Sequence, residues 1–252
     1  MEKPLVETSV LSDILDIETA SRRALYARNK HVAQRDLDCL FHPSSFGYCI
    51  RKLQYHYLGE EPIHKISSAT RSIFDLGHAV HEMLQARLER TLKYQLEDSE
   101  YDFTLEVEKS INNTDLAKKY EMAGSADGLI TLVLKDSDGP DFARIIYEAK
   151  SISKKGWEKL ASPLAKHRMQ ASIYCEALEA THILFEYFCK DNAASKWYLV
   201  PKDEAALGSA IKSIDKVRAA TQSLTLVDRE GSHYECSDCA YLELCKPEGV
   251  PL

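Results

Sequence analysis

The run Ala143-Arg144-Ile145-Ile146-Tyr147 ends in Glu148-Ala149-Lys150. Its β-branched and aromatic residues favour a strand, in which residues i and i+2 project to one face, roughly 6–7 Å apart along the chain. Glu148 and Lys150 are thereby offered together to whatever occupies that face. Upstream, Gly124-Ser125-Ala126-Asp127-Gly128 sets another acid at the start of a second apolar run, Leu129 to Leu134. Two acids and one lysine on adjacent strand ends can hold Mg²⁺ or Mn²⁺ and activate a bound water.

The elements around this pair follow from periodicity. Residues 11–30 read as a helix of mixed polarity, and Ser44 or Ser45 could cap a second helix that Gly59 ends. Residues 69–94 read as a long helix with Ile73, Leu76, Val80, Leu84 and Leu88 at helical spacing. Tyr101, Phe103, Leu105 and Val107 alternate with Glu106 and Glu108, the pattern of a half-buried strand with its acids outward. Strands are expected over 119–134 and 143–150, separated by the breaker-rich turn Asp136-Ser137-Asp138-Gly139-Pro140. A helix at 165–180, strands near 182–189 and 196–200 and a helix at 203–222 complete the reading. The order is an α/β (α+β) one: helix, three strands, helix, strand. Three regions are expected: 1–68 helical, 69–202 the core, and 203–252 a helix with a cysteine-rich tail.

The chain has 252 residues, 44% of them hydrophobic, enough for a sizeable core. No stretch approaches ~18 apolar residues, so no transmembrane helix is expected. The first residues, Met1-Glu2-Lys3-Pro4, lack a basic-then-apolar secretory layout, so a soluble, cytoplasmic protein is expected. No Gly-x-x-x-x-Gly-Lys-Ser/Thr loop is present, which argues against an ATP motor. A net charge of −7 speaks weakly against a polyanionic partner, but local charge matters more. Lys154, Lys155, Lys159, Lys166 and Arg168 stand against a lone Glu158 over 151–170, and Arg22, Arg23, Arg28, Lys30 and Arg35 carry no acid among them. Either stripe is a solvated helix face or one wall of a phosphate-tracking groove.

Three further features bear on chemistry. In Gly77-His78-Ala79-Val80-His81, His81 borders the apolar stripe, either as a core-edge histidine or as a ligand. Gly77 costs roughly 1 kcal/mol mid-helix, which is tolerated where another backbone must come close. Gln170 and Tyr174 form an i, i+4 pair able to brace Lys150 or reach a phosphate backbone. The tail carries Cys236-Ser237-Asp238-Cys239 and Cys245, a C-x2-C-x5-C run that lacks a fourth ligand, for which Cys49 is the best candidate. With seven cysteines in a reducing compartment, metal or cluster ligation is favoured over disulfides, and zinc is a real alternative to iron and sulfur. Cys39, Cys175 and Cys189 read as small buried hydrophobes.

Gly77-x-x-x-His81, the Asp127 loop, Glu148-Ala149-Lys150 and Gln170-x-x-x-Tyr174 resemble, in order and spacing, the motifs of RecB-type nucleases of the PD-(D/E)XK superfamily. Cys49 upstream with C-x2-C-x5-C downstream resembles the iron–sulfur branch, which holds the CRISPR-associated Cas-four and AddB-type nucleases. The resemblance spans about residues 45–246. It implies a restriction-endonuclease-like core, a central mixed sheet flanked by helices, with a cysteine-ligated cluster joining N-terminal helices to the C-terminal tail. It implies that His81, Asp127, Glu148 and the Ala149 carbonyl bind Mn²⁺ or Mg²⁺, and that Lys150 orients water. Gln170 and Tyr174 would assist catalysis, and Cys49, Cys236, Cys239 and Cys245 would hold a [4Fe–4S] cluster. The implied activity is hydrolysis of phosphodiester bonds from single-stranded DNA ends, in recombination, repair or CRISPR adaptation. A duplex or structure-specific endonuclease and a non-catalytic iron–sulfur or zinc DNA-binding protein are the alternatives. Lys154, Lys155, Lys166, Arg168 and Tyr48 are expected to meet DNA, with Tyr55 beside the same path. The acidic total charge leaves room for a recombination or CRISPR-adaptation protein partner or a ring-like oligomer, which no motif specifies.

Overall fold

The computed structural model describes residues 40–60, 62, 68–135, 142–230, 236–237 and 239–245. The expected helix at 11–30, its basic stripe, Cys39 and the turn at 136–140 lie outside the described residues. The chain divides into two compact units. One comprises Phe41–Gly47 and Ile66–Lys212; the other draws on Tyr48–Lys65 and Ser213–Leu252.

The first unit is built on a mixed five-stranded sheet whose strands lie in chain order. These are β1 (Tyr101–Ser110), β2 (Ser125–Leu134), β3 (Phe142–Ile152), β4 (His182–Cys189) and β5 (Ser195–Pro201). β1, β2 and β3 pair antiparallel, β3 and β4 pair parallel, and β5 returns antiparallel to β4. A parallel step needs a long crossover. Two helices supply it, a short Lys154–Lys159 and a longer Ala165–Ala177. In chain order the helices are α1 (Ile50–Tyr57), α2 (Ser68–Leu96), α3 (Asp115–Tyr120), α4 (Lys154–Lys159), α5 (Ala165–Ala177), α6 (Glu204–Gln222) and α7 (Leu242–Cys245).

The alternation of β3 decides what packs where. Tyr147 and Ala149 share one face and are fully buried with Ile130, Phe188 and the Val80, Leu84 and Leu88 stripe of α2. Glu148 and Lys150 project to the other face, and α5 packs against β2, β3 and β4. Pro43–Ser45, a 3₁₀ turn, lies against α5.

Several local expectations change. Ser44 and Ser45 sit inside that 3₁₀ turn and cap no helix; Gly47, at φ +79°, turns the chain, and α1 starts only after Cys49. Cys49 therefore precedes α1 as its cap residue and does not lie within it. The first part of the run expected as strand, 119–134, is helix and turn. Thr114 accepts a hydrogen bond from the Ala117 N–H at 3.2 Å and starts α3, which Glu121 ends in the left-handed region. α4 was not expected; Ser153 caps it through the Gly156 N–H. Val107 is 50% exposed, because β1 is an edge strand and only Phe103 and Leu105 turn inward. Leu76 is exposed as well, and a Cβ on Gly77 would meet nothing within 4 Å, so no neighbouring backbone explains that glycine among the described residues.

The second unit ties α1 to the C-terminal region. Gln54 donates to the Thr225 carbonyl at 2.8 Å and accepts from the Val227 N–H at 2.8 Å. The Arg51 Nε–H donates to the Val227 carbonyl at 2.7 Å. Tyr55 is buried against Tyr241 and donates its hydroxyl to the Leu244 carbonyl at 3.3 Å.

Candidate active site and cysteine group

A cavity of about 690 Å³ opens in the sheet unit. His81, Asp127, Lys150, Gln170 and Tyr174 line it together. Glu148 lies beneath them, fully buried.

Asp127 is held at three points. Its Oδ1 lies 3.3 Å from His81 Nδ1 on α2, and its Oδ2 accepts the Ala149 N–H at 2.8 Å across the β2–β3 boundary. Its backbone carbonyl accepts from Gln85 Nε2 at 2.8 Å. The hydrogen bond and negative charge of Asp127 raise the His81 pKa against the opposing effect of burial.

Neither carboxylate oxygen of Glu148 has a hydrogen-bond partner among the described residues. Lys150 Nζ stands 2.5 Å from Oε1 as a close ion pair. Burial pushes the Glu148 carboxyl up, and the attraction of Lys150 only partly offsets it. Burial pulls the Lys150 ammonium down, but the charges of Glu148 and Asp127 outweigh it and the net shift is upward. Both effects belong to one desolvated carboxylate–ammonium pair with a second acid beside it.

Gln170 hydrogen-bonds Tyr174 on α5, and burial raises the Tyr174 hydroxyl above the ordinary phenol range. A Cβ at Gly124 would fall 3.1 Å from Pro43 Cδ and 3.3 Å from the Tyr174 hydroxyl, so glycine is what lets the start of β2 pass this wall.

The residues expected to meet DNA do not line this cavity. Arg168 pairs with Asp203 at 2.9 Å, Lys154 is exposed and 4.0 Å from Glu158, and Lys166 packs its Cβ against Gly47. Lys155 is exposed, Tyr48 is 42% exposed with Lys52 over its ring, and Tyr55 is buried in the core of the other unit. The wall is instead completed by His42, His78, Glu82, Gln85, Glu108, Ser151 and Lys190. Gln85 was legible in principle, since it stands one helical turn beyond His81. Glu108 is exposed as expected, and in addition its backbone enters the left-handed region at φ 48° and its Oε1 accepts from Gln85 Nε2 at 2.9 Å. No sequence pattern announced Lys190 or His42.

In the other unit Cys49, Cys236, Cys239 and Cys245 are all half-buried. Burial raises the Cys245 thiol, the Tyr55 hydroxyl and Arg51 pull against it, and Cys239 and Cys49 add smaller upward contributions. Cys175 and Cys189 are buried in the sheet unit, and burial pushes the Cys175 thiol up to about 12. Among the described residues, no group of three or more His, Cys, Asp or Glu side chains stands in metal-holding geometry. No described helix is long and apolar enough to cross a membrane.

No family model matches the chain, and no curated protein matches it in sequence. Among solved structures, SSO0001 aligns over 94% of this chain and 98% of its own, at 18% identity and a TM-score of 0.46. The alkaline exonuclease LHK-Exo from Laribacter hongkongensis aligns over 69% of this chain and 78% of its own, at 14% identity and a TM-score of 0.45. Its complex with dAMP aligns over 74% and 90%, at 13% identity and a TM-score of 0.46.

Proposed function

We propose that the chain is a metal-dependent deoxyribonuclease that hydrolyses single-stranded DNA from its ends. One observation carries this reading: Glu148 is wholly buried beside Asp127, with the Lys150 ammonium against Oε1 and no hydrogen-bond partner at Oε2 among the described residues. Two acids share the single Lys150 ammonium here, and a divalent cation is the usual compensation for the remaining negative charge. The donor set suits a hard divalent ion: two carboxylates, a backbone carbonyl at Ala149, and the His81 imidazole, which also accommodates Mn²⁺.

In this reading His81, Asp127, Glu148 and the Ala149 carbonyl hold Mn²⁺ or Mg²⁺. When bound, the ion supplies a nucleophilic water of lowered pKa and neutralises charge on the phosphate. Lys150 orients the water and faces the anionic scissile group. Gln170 and Tyr174 form a hydrogen-bonded wall that positions the DNA backbone against Lys150. Lys190 and His78 on the cavity wall join Lys154, Lys155, Lys166 and Arg168 as proposed DNA contacts.

We also propose a four-cysteine site of Cys49, Cys236, Cys239 and Cys245 for a [4Fe–4S] cluster, with structural zinc as the competing occupant. Its support is that all four belong to one compact unit and that Cys245 feels the charge of both Cys239 and Cys49. Anaerobically purified protein is expected to be brown and to absorb at roughly 400 nm. Colourless protein with stoichiometric zinc excludes the cluster.

End-labelled single- and double-stranded DNA, incubated with Mn²⁺ or Mg²⁺, tests the activity. Stepwise loss of label from single strands is expected. Internal cutting of duplex supports an endonuclease of the same chemistry, and binding without cutting supports a non-catalytic DNA-binding protein. The setting in recombination, repair or CRISPR adaptation, and a protein partner from it, remain part of this proposal.

A further inference from the structure

We infer that Gln85 is a positioning residue for the metal-binding acid Asp127; this rests on the nuclease reading above. The side chain of Gln85 is 7% exposed and lies on the turn of α2 that follows His81. Residues i and i+4 share a helix face. α2 therefore reaches Asp127 twice: the His81 ring at Oδ1, 3.3 Å away, and the Gln85 amide at the backbone carbonyl, 2.8 Å away. The second contact is one half of a fork. The same Nε2 donates to Glu108 Oε1 at 2.9 Å.

Both partners of that nitrogen are acceptors, a carbonyl and a carboxylate, so the amide must present its NH₂ end to them. The arrangement fixes two strands at once. Asp127 lies on β2 and Glu108 on its neighbour β1, where the pairing runs from Val107↔Gly128 to Lys109↔Ala126 and passes over Glu108. Glu108 is the residue whose backbone leaves the extended region there. Gln85 thus ties α2 to β2 and to the irregular point of β1 opposite Asp127. With its carbonyl held by Gln85 and Oδ2 held by the Ala149 N–H, the Asp127 carboxylate has little freedom left in the strand plane. Gln85 touches neither metal nor substrate in this account; it acts through Asp127. Partners that orient a ligating carboxylate in this way typically change metal affinity by 10–100-fold when removed.

The test uses the full chain and Mn²⁺ alone, with free Mn²⁺ read by electron paramagnetic resonance, and a thermal melt without metal run in parallel. Gln85→Met keeps length and apolar volume but removes the donor; a Mn²⁺ affinity lower by on the order of tenfold is expected. Glu108→Gln keeps an acceptor for the fork and removes one negative charge from the cavity wall, so it is expected to lose less Mn²⁺ affinity than Gln85→Met. Unchanged Mn²⁺ affinity in Gln85→Met, whatever its melting temperature, overturns the inference. So does an equal loss in Glu108→Gln, which would move the effect to Glu108. An unmodified chain that binds no Mn²⁺ overturns the nuclease reading itself, and the inference with it; the two failures are therefore distinct.

Discussion

Glu148 on β3 and Glu186 on β4 are both fully buried, on adjacent parallel strands. Glu186 pairs in register with Ala149, so the two glutamates project to opposite faces of the sheet. On its face, Glu186 accepts hydrogen bonds from the Tyr147 hydroxyl at 2.6 Å and the Ser195 hydroxyl at 2.6 Å, and Arg87 of α2 pairs with it. Arg87 also donates to Ser195 at 2.9 Å, closing the group. Glu148 has the Lys150 ammonium beside it and no hydrogen bond among the described residues. A protein able to satisfy one buried carboxylate so completely has left its neighbour short. The first arrangement holds strands and helix together; the second keeps a charged acid available for something that arrives from outside.

Substitutions on the two faces should therefore fail in different ways. The largest effect is expected on the Glu148 face. Lys150→Met should lower Mn²⁺-dependent cleavage of end-labelled DNA by roughly 10²–10³-fold, the scale of losing one preorganised charge at a reacting phosphate, while circular dichroism stays that of the folded chain. On the Glu186 face, Arg87→Met should leave cleavage by the folded protein unchanged but cost about 3 kcal/mol in urea unfolding. That is the low end for stranding a buried charge, because Arg87 is 36% exposed and two hydroxyls still serve Glu186. Cleavage lost without stability in that variant would erase the distinction between the faces.

His167 extends the comparison to pH. It lies beside Tyr187, whose hydroxyl is 2.8 Å from its Nδ1, and burial, with Lys150 next, depresses its pKa to about 3. The unfolded chain takes up a proton on this histidine below about 6.5, whereas the folded chain does not. The stability it contributes is thus complete above about pH 6.5 and is lost as pH falls toward 3. The expected loss is about 2 kcal/mol at about pH 5, and His167→Gln should flatten the melting profile over that window. The smallest effect is expected from Ser195→Ala, which removes one hydrogen bond from a charged acceptor that keeps two other partners. It should cost about 1.5 kcal/mol, measured by urea unfolding, and leave cleavage unchanged.

The strands that carry Asp127, Glu148 and Lys150 were readable because alternation and local turn chemistry are encoded within a few residues. The long α2 followed from the same periodicities, whereas a mixed sheet was expected only through the family resemblance. What could not be read depends on distant partners. Glu106 and Glu108 alternate identically in sequence, yet Glu106 pairs with Lys109 in the open while Glu108 is hooked by Gln85 across β1. Glu186 sits in an apolar run, and its partners come from α2, β3 and β5. The basic stripe over 154–168 was equally ambiguous: its charge is local, but only the fold decides whether it faces the cavity or pairs, as Arg168 does, with Asp203. Thr114 caps a six-residue helix whose end overlaps the start of the strand expected from residue 119, and Glu121 closes it in the left-handed region before β2 begins.

The most direct measurement is Glu148→Gln, assayed for Mn²⁺-dependent loss of label from single-stranded DNA and for thermal stability in the same preparation. The amide keeps the shape and removes the desolvated charge. Cleavage should be lost, and the melting temperature should fall by less than in Arg87→Met, because Asp127 still compensates the Lys150 ammonium. Retained cleavage, or a melting temperature that drops as far as in Arg87→Met, would contradict the account by making Glu148 a structural acid like Glu186.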